Sequence, residues 1–273
     1  MTDQAERYDR IAAGYGRWWA PVIAPQALPL LDRLQEAVDA GARRLIDVGT
    51  GTGTLAIAAL RRWPHVEVVG IDASRGMASA AAAEADRLLT PNERARFATD
   101  VAFADELPFP DQSFDAVMSS FVYQLVPNRA RALREARRVL RPNGTLAYVS
   151  WLSDGRFFPP DAEFDDALDE IGIGAREPDD RPGDLPSAEG AAAQLRRAGF
   201  RDVRATPGLL EHPFEVEGYL RFMTEFDEED LVRSLDEDER DRFIGSLQRR
   251  ISALPADDLV LRLPTVTVAG KRS

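Results

Sequence analysis

The densest chemical signal in the chain is the run Asp47-Val48-Gly49-Thr50-Gly51-Thr52-Gly53. Glycine lacks a Cβ, so such a run lets the backbone turn sharply from a strand into a helix and lets a ligand approach bare backbone. A second acid, Asp72, stands 72 − 53 = 19 residues beyond Gly53, at the end of the next apolar run. In a doubly wound fold a carboxylate at that place meets the diol of a ribose. Asp47, ahead of the first glycine, would repel a pyrophosphate but would tolerate a ligand that carries sulfonium and ammonium groups. The pattern therefore favours S-adenosylmethionine over a nicotinamide dinucleotide.

Composition removes other chemistries. Cysteine is absent and there are two histidines, His65 and His212, so thiolate sites, a Cys nucleophile and a multi-His metal centre are not expected. The net charge of −12 argues against capture of nucleic acid, which needs Lys and Arg on phosphates. No long uncharged apolar run is present, so no membrane span is expected, and the N-terminal residues lack the apolar core of a signal peptide. A cytoplasmic protein is the default expectation. Oligomeric state stays open.

These groups must be positioned by the elements around them. From Arg44 onward, short apolar runs alternate with helical periodicity. Strands are expected at Leu45–Val48, Val66–Ile71, within Phe97–Ala104, at Phe114–Ser119 and at Thr145–Trp151. Helices between them start at the glycine run, at Ser74 and at Asn128, with Asn143-Gly144 closing the last. This alternation means a doubly wound α/β fold with helices on both faces of a mostly parallel sheet. Further on, Ser187–Ala198 reads as a helix, Phe200–Ala205 as a strand, 216–254 as charged helices and Leu259–Ala269 as a closing strand. Ahead of the sheet, residues 1–40 read as helical, with Tyr8, Ile11 and Tyr15 in one stripe, and with prolines 21, 25 and 29 as breaks before a helix over Ala27–Ala40. Trp18 and Trp19 are adjacent, so one should pack inward and the other outward.

Several segments resemble class I S-adenosylmethionine-dependent methyltransferases, in the group similar to the ubiquinone and menaquinone biosynthesis enzymes. They are YDRIAAGY at 8–15, LIDVGTGTG at 45–53, VVGIDAS at 68–74, LPFPDQSFDAV at 107–117, REARRVLRPNGTLAYVSW at 134–151 and LRRAGFRDV at 195–203. The resemblance implies a Rossmann-like sheet of seven strands with the last one antiparallel, an N-terminal helical lid and helical cap insertions. It divides the chain into a lid at 1–40, a cofactor-binding core at 41–151, an acidic insertion at 152–186, and a C-terminal part at 187–273 with a cap insertion at 206–257.

By the same resemblance, Gly49, Gly51 and Gly53 pack against the methionine part of the cofactor and Asp47 orients its ammonium group. Asp72 takes the ribose, with Ala73 beside it, and Met77 covers the adenine unless it is simply helix core. Ala104 and Asp105 meet the adenine amino group, with Asp100 as the alternative acid. Ser119, Ser120 and Phe121 fall near the transferred methyl. Relatives often place a histidine a few residues on, within a pattern similar to HHV. This chain has Tyr123-Gln124-Leu125-Val126, and Gln124 cannot take a proton at neutral pH. Tyr8 and Tyr15 form the lid wall over the cofactor, or pack as core. The catalytic residue stays unassigned, with Ser120, Phe121, Gln124 and His212 as substrate-side candidates and no metal ligands. The expected activity is methyl transfer to a small-molecule acceptor. The alternatives are a methyltransferase acting on protein or RNA, and a non-catalytic module that binds the cofactor.

Overall fold

Four apolar strands lie side by side in parallel and are closed in on both faces. In the computed structural model, which describes residues 3–153, 157–176 and 183–273, these are β1 (Arg44–Val48), β2 (Glu67–Asp72), β4 (Phe114–Ser120) and β5 (Leu140–Trp151), with β3 (Phe97–Val101) at the edge. β6 (Phe200–Pro213) and β7 (Val260–Arg272) complete a seven-stranded sheet in the order β3-β2-β1-β4-β5-β7-β6. β7 runs antiparallel to β5, from Thr145 opposite Lys271 to Trp151 opposite Thr265. The sheet is thus the mostly parallel, doubly wound one expected, with its last strand reversed. The order reverses direction at β1 and β4, which pair in parallel through Leu45–Ala116 and Asp47–Met118. Such a switch opens a crevice beyond the carboxyl ends of the strands, where ligands bind in folds of this kind.

The helices, in chain order, are α1 (Asp3–Trp18), α2 (Ala20–Ala27), α3 (Leu30–Asp39), α4 (Thr54–Arg62), α5 (Arg75–Leu88), α6 (Pro91–Arg94), α7 (Arg129–Val139), α8 (Pro159–Glu170), α9 (Ala188–Arg197), α10 (Val216–Phe222), α11 (Glu229–Ser234) and α12 (Glu237–Ala253). Their starts follow local chemistry. Ser74 and Asn128 accept from the backbone N–H of Met77 and Arg131, as their positions predict. Side chains along a strand alternate between faces. Ile46, Val48, Val117, Leu146 and Tyr148 therefore share one core with Leu133, Ala136 and Val139 of α7 and with Ala191 and Leu195 of α9. Leu45, Leu30, Leu34, Leu55 and Leu60 are likewise fully buried.

Several expected boundaries shift, and the strand expected at Phe200–Ala205 runs on to Pro213. The helix expected over Ala27–Ala40 begins only at Leu30, since α2 runs through Pro25 to Ala27. Arg141-Pro142-Asn143-Gly144 is not a helix cap either. α7 ends at Val139, β5 starts at once, and its register on β4 jumps from Phe114–Leu140 to Ala116–Thr145. The four residues form a bulge, with Asn143 at φ 64°, a conformation that asparagine tolerates. A Cβ on Gly144 would lie 2.9 Å from the carbonyl oxygens of Arg141 and Asp115, so glycine is required there.

The chain divides into two compact units. One comprises 1–154, 181–208 and 264–273, and the other 155–180 and 209–263. In the second, α8 and α12 pack through Phe164 and Phe243, whose ring centroids are 5.0 Å apart. Arg250 of α12 bridges to Glu163, Asp166 and Glu170. Residues 154–156 and 177–182 of the expected acidic insertion lie outside the described residues. Among the described residues no helix is long and apolar enough to cross a membrane.

Asp115 ties the amino ends of the central strands together. Its carboxylate accepts from the N–H groups of Arg43 and Arg44 at 2.8 and 2.9 Å and meets Arg141 of the bulge at 2.5 Å. Asp115→Ala should lower stability by about 1–3 kcal/mol by leaving these donors unpaired, as a lower urea midpoint would show. An unchanged midpoint would mean that water replaces the carboxylate without loss.

Candidate functional site

The glycine run turns left-handed three times, at Gly49 (φ 68°), Gly51 (φ 55°) and Gly53 (φ 83°). Gly53 is the N-cap of α4. Two of the positions favour glycine by contact as well: a Cβ on Gly49 would overlap Val122 Cγ2, and one on Gly53 would press on Ala81 Cβ at 3.3 Å. On Gly51 it would point into free space, with only Tyr15 Cε1 at 3.8 Å. Gly51 is therefore where the turn presents bare backbone.

Asp72 closes β2 directly opposite. Its Oδ2 accepts from Gly51 N–H and its Oδ1 from Ser74 N–H, both at 2.9 Å. Burial pushes its pKa up, the Ser74 and Gly51 amides pull it down, and the nearby Asp9 charge raises it further. Asp47 lies behind the turn, 1% exposed. Its Oδ2 accepts from Thr50 Oγ1 at 2.9 Å, whereas its Oδ1 makes no well-formed hydrogen bond. Burial raises the Asp47 pKa to about 7, with the Thr50 hydroxyl opposing and the Asp72 charge adding. A buried carboxylate with one oxygen unsatisfied is suited to a cationic group.

The cleft beyond these residues has a cavity volume of about 160 Å³. Its floor is Gly49 and Gly51, with Asp72 and Ala73 at the end of β2 and Met77 on the first turn of α5. One side is the stretch from Ala102 to Asp105. Asp105 stands on the cleft, whereas Asp100 sits within β3 and accepts from Val101 N–H. The far side is the end of β4, with Ser120 and Phe121, followed by Val122. α1 contributes Ala5, Tyr8 and Tyr15 as a roof, the two tyrosine rings edge to face at 6.1 Å. Burial, then the Tyr8 and Asp72 neighbours, push the Tyr15 hydroxyl well above its ordinary pKa.

Phe121 departs from ordinary backbone geometry at φ 57°, a left-handed conformation that costs a bulky residue about 1–3 kcal/mol. Its N–H donates to Val149 O, and its ring stacks on Trp151 with centroids 4.0 Å apart and planes 26° from parallel. Trp19 lies 6.4 Å beyond Trp151, while Trp18 lies under the Arg17 guanidinium.

Five candidates do not line the cleft, Asp47 behind the turn among them. Gly53 serves the α4 cap. Ser119 is fully buried and donates to Val48 O at 2.7 Å. Gln124 is 5% exposed, and its Oε1 accepts from Ser150 Oγ at 2.8 Å. His212 belongs to the second unit, edge-on to Phe214 at 4.6 Å, with its pKa lowered by burial. There Phe214 also meets Tyr219 and Phe222, and Tyr219 donates to Asp161 at 3.1 Å.

Reading the sequence missed Asp9. Its Oδ1 accepts from Ser74 Oγ at 2.5 Å and from Gly76 N–H at 2.7 Å, bonds that hold its pKa below the usual value. It lies within YDRIAAGY, where helical periodicity marks the tyrosines and gives no sign of what an acid between them will bind. Leu125, Val126 and Pro127, which also line the cleft, carried no signal because an irregular segment has no periodicity to read. Among the described residues no group of His, Cys, Asp or Glu could hold a metal ion.

A strand, a left-handed glycine turn and an acid closing the next strand, arranged on a doubly wound sheet, define a nucleoside-binding class of protein. Within it, residues 46–148 match the family described as "Methyltransferase domain". The chain is 35% identical over 179 residues to a malonyl-[acyl-carrier protein] O-methyltransferase of Geobacter sulfurreducens, covering 65% of this chain and 63% of that protein. It is 37% identical over 109 residues to a demethylmenaquinone methyltransferase of Thermotoga maritima, covering 40% and 44%. The alignments thus span less than two thirds of either relative. A solved structure of phosphoethanolamine N-methyltransferase 2 from Haemonchus contortus, in complex with S-adenosyl-L-methionine, shares the fold at a TM-score of 0.53 and 20% identity, over 91% of this chain and 53% of that one.

Asp47 makes stability depend on pH. Its native pKa of about 7 exceeds the ordinary 3.8, so the folded state keeps a proton that the unfolded chain has already released. That contribution is complete below the ordinary value and is lost as pH rises through the native one. Asp47→Asn should flatten this decline when urea midpoints are compared from mildly acidic to mildly basic pH. An equally steep decline in the variant would mean that Asp47 is ionised throughout.

Proposed function

We propose that this chain is an S-adenosylmethionine-dependent methyltransferase acting on a small-molecule acceptor. The observation that carries the reading is the pairing of two carboxylates across one glycine turn. Asp72 faces the cleft with its charge held by amides, and Asp47 lies buried behind the turn with one oxygen unsatisfied. The first suits a ribose diol and the second an ammonium group. The family match over 46–148 and the methyltransferase names of the relatives support it. So does the S-adenosyl-L-methionine in the Haemonchus contortus structure.

When bound, S-adenosylmethionine supplies a methyl group already activated by its positive sulfur. The remaining work is positioning and the exclusion of water. A carboxylate has about four acceptor positions, and backbone amides take two of those on Asp72, which leaves the rest for ribose hydroxyls. Gly49 and Gly51 leave room for the methionine part, and Asp47 draws its ammonium group toward the turn, with Gly53 holding that turn on α4. Ala73, Met77, Ala104 and Asp105 form the adenine side. The roof rings of Tyr8 and Tyr15 present π faces, which attract a cation. Ser120 and Phe121 bound the methyl end, and the stack of Phe121 on Trp151 fixes that wall.

That wall holds no titratable group: Ser120, Phe121, Val122, Leu125, Val126 and Pro127 are uncharged. Gln124 acts from behind it, steadying the end of β5 through Ser150. The acceptor therefore arrives nucleophilic or easily ionised, and alignment carries the rate.

Asp72→Ala removes charge-assisted hydrogen bonds worth roughly 1.5–3 kcal/mol each. S-adenosylmethionine affinity in calorimetry should fall at least tenfold, with NAD binding to neither protein. Equal affinity in wild type and variant would remove Asp72 from the ribose. Wild type that binds NAD and not S-adenosylmethionine would overturn the proposal. Turnover of labelled S-adenosylmethionine against fractionated metabolites, proteins and RNA then identifies the acceptor class.

A further inference from the structure

We infer that Asp9 latches the roof helix α1 to the cofactor carboxylate through Ser74, so that docking of α1 and binding of S-adenosylmethionine are one coupled equilibrium. The coupling rests on the cofactor reading above, while the latch itself is a feature of the ligand-free chain.

Ser74 is wholly buried and serves three partners. Its N–H donates to Asp72 Oδ1 at 2.9 Å. Its Oγ accepts from Met77 N–H at 3.0 Å, which caps α5. A hydroxyl has one proton to donate, and that proton goes to Asp9 Oδ1 at 2.5 Å. The same oxygen of Asp9 takes Gly76 N–H at 2.7 Å. One residue thus holds the acid of the roof by its side chain and the acid of the cofactor site by its backbone.

The path also approaches the carboxyl-terminal part of α1. Asp72 Oδ2 accepts from Gly51 N–H at 2.9 Å, and the open side of Gly51 faces the Tyr15 ring. Gly16 lies just beyond, where a Cβ would come within 3.5 Å of Thr52 Cγ2. α1 is therefore bonded to the floor at its middle, through Asp9, and lies over the glycine turn near Tyr15. Ala5, Tyr8, Asp9 and Ala12 recur at spacings of three and four and share one helical face, so Asp9 holds the same side of α1 that carries the cleft-lining Ala5 and Tyr8.

The approach of α1 to α5 is also built for closeness. A Cβ on Gly76 would stand 3.1 Å from Ala12 Cβ and 3.3 Å from Asp9 O. Glycine is otherwise a weak helix former, since it loses the most backbone freedom on becoming helical. Its place is accounted for by the neighbour it admits. Linkage then requires reciprocity: whatever favours docking of α1 tightens the cofactor, and the cofactor favours docking by the same factor.

The test uses the full chain with three variants. Asp9→Ala removes the latch and leaves the Ser74 cap intact. Asp9→Asn keeps an accepting oxygen without the charge. Gly76→Val obstructs α1 sterically, removes no polar group and improves the propensity of α5. Affinity and release rate of S-adenosylmethionine and its demethylated product are measured with hydrogen exchange over residues 3–18 and the ligand-free melting temperature.

In wild type, ligand should slow exchange over 3–18. In Asp9→Ala and Gly76→Val, release should be about tenfold faster, the scale of one charge-assisted hydrogen bond, and the ligand should no longer slow exchange. Asp9→Asn should recover part of the difference. Unchanged affinity and release in both Asp9→Ala and Gly76→Val would overturn the coupling. So would a lower ligand-free melting temperature with ligand protection intact, which marks Asp9 as merely structural. Wild type that binds no S-adenosylmethionine overturns the cofactor reading and the coupling together. Ligand-free exchange then decides the latch separately: faster in Asp9→Ala upholds it, and equal rates refute it.

Discussion

A carboxylate drawn partly out of water must be satisfied or it neutralises, and Asp72, half-buried at the end of β2, is satisfied by backbone. The Gly51 and Ser74 amides that reach it come from two different elements, the turn after β1 and the start of α5. Its charge therefore does structural work before any ligand arrives. It holds the left-handed glycine turn against the end of β2 and anchors the first turn of α5. The parallel pairing of β1 and β2, with Val48 opposite Ile71, brings the two parts within reach. Asp47 shows the contrasting case, since a single hydroxyl bond to Thr50 leaves burial the dominant influence and the group poised near neutrality.

The far side of the cleft is built on different physics. There the wall is apolar and strained, with Phe121 held left-handed at the end of β4. The hydrogen bond to Val149 and the stack on Trp151 offset that strain. β5 thus fixes the wall that β4 presents, and Gln124, bound to Ser150, supports the same junction from behind. The site joins a polar half that holds charge with an apolar half that holds shape, and the crevice between β1 and β4 is where the two meet.

In the second unit, acids and arginines form discrete networks. Arg176 bridges Asp165 and Glu228 at 2.7 and 2.9 Å, and Arg250 gathers three acids of α8. The charged helices over 216–254 expose acids such as Asp230 and Glu237. Glu228 instead meets Arg176 inside the unit and Asp161 meets Tyr219, and desolvation of each carboxylate raises its pKa.

The sequence by itself determined the parallel sheet and the turn with its two acids, because each is written in local periodicity or in glycines where the backbone turns left-handed; the reversed last strand was implied by the resemblance to methyltransferases and not by any local pattern. Glycines at positive φ, a serine before a helix and an apolar run closed by an acid need no distant partner to be read. Only the tertiary structure decided which side chains face the cleft. It turned Ser119 and Gln124 inward to bury their polar atoms against Val48 and Ser150, and it set Asp105 on the cleft and Asp100 in a strand. It brought Asp9 to Ser74 across 65 residues of sequence, and it made Arg141–Gly144 a bulge within β5. These outcomes depend on packing between segments far apart in the chain, and no local spacing encodes which buried polar atom will find which partner.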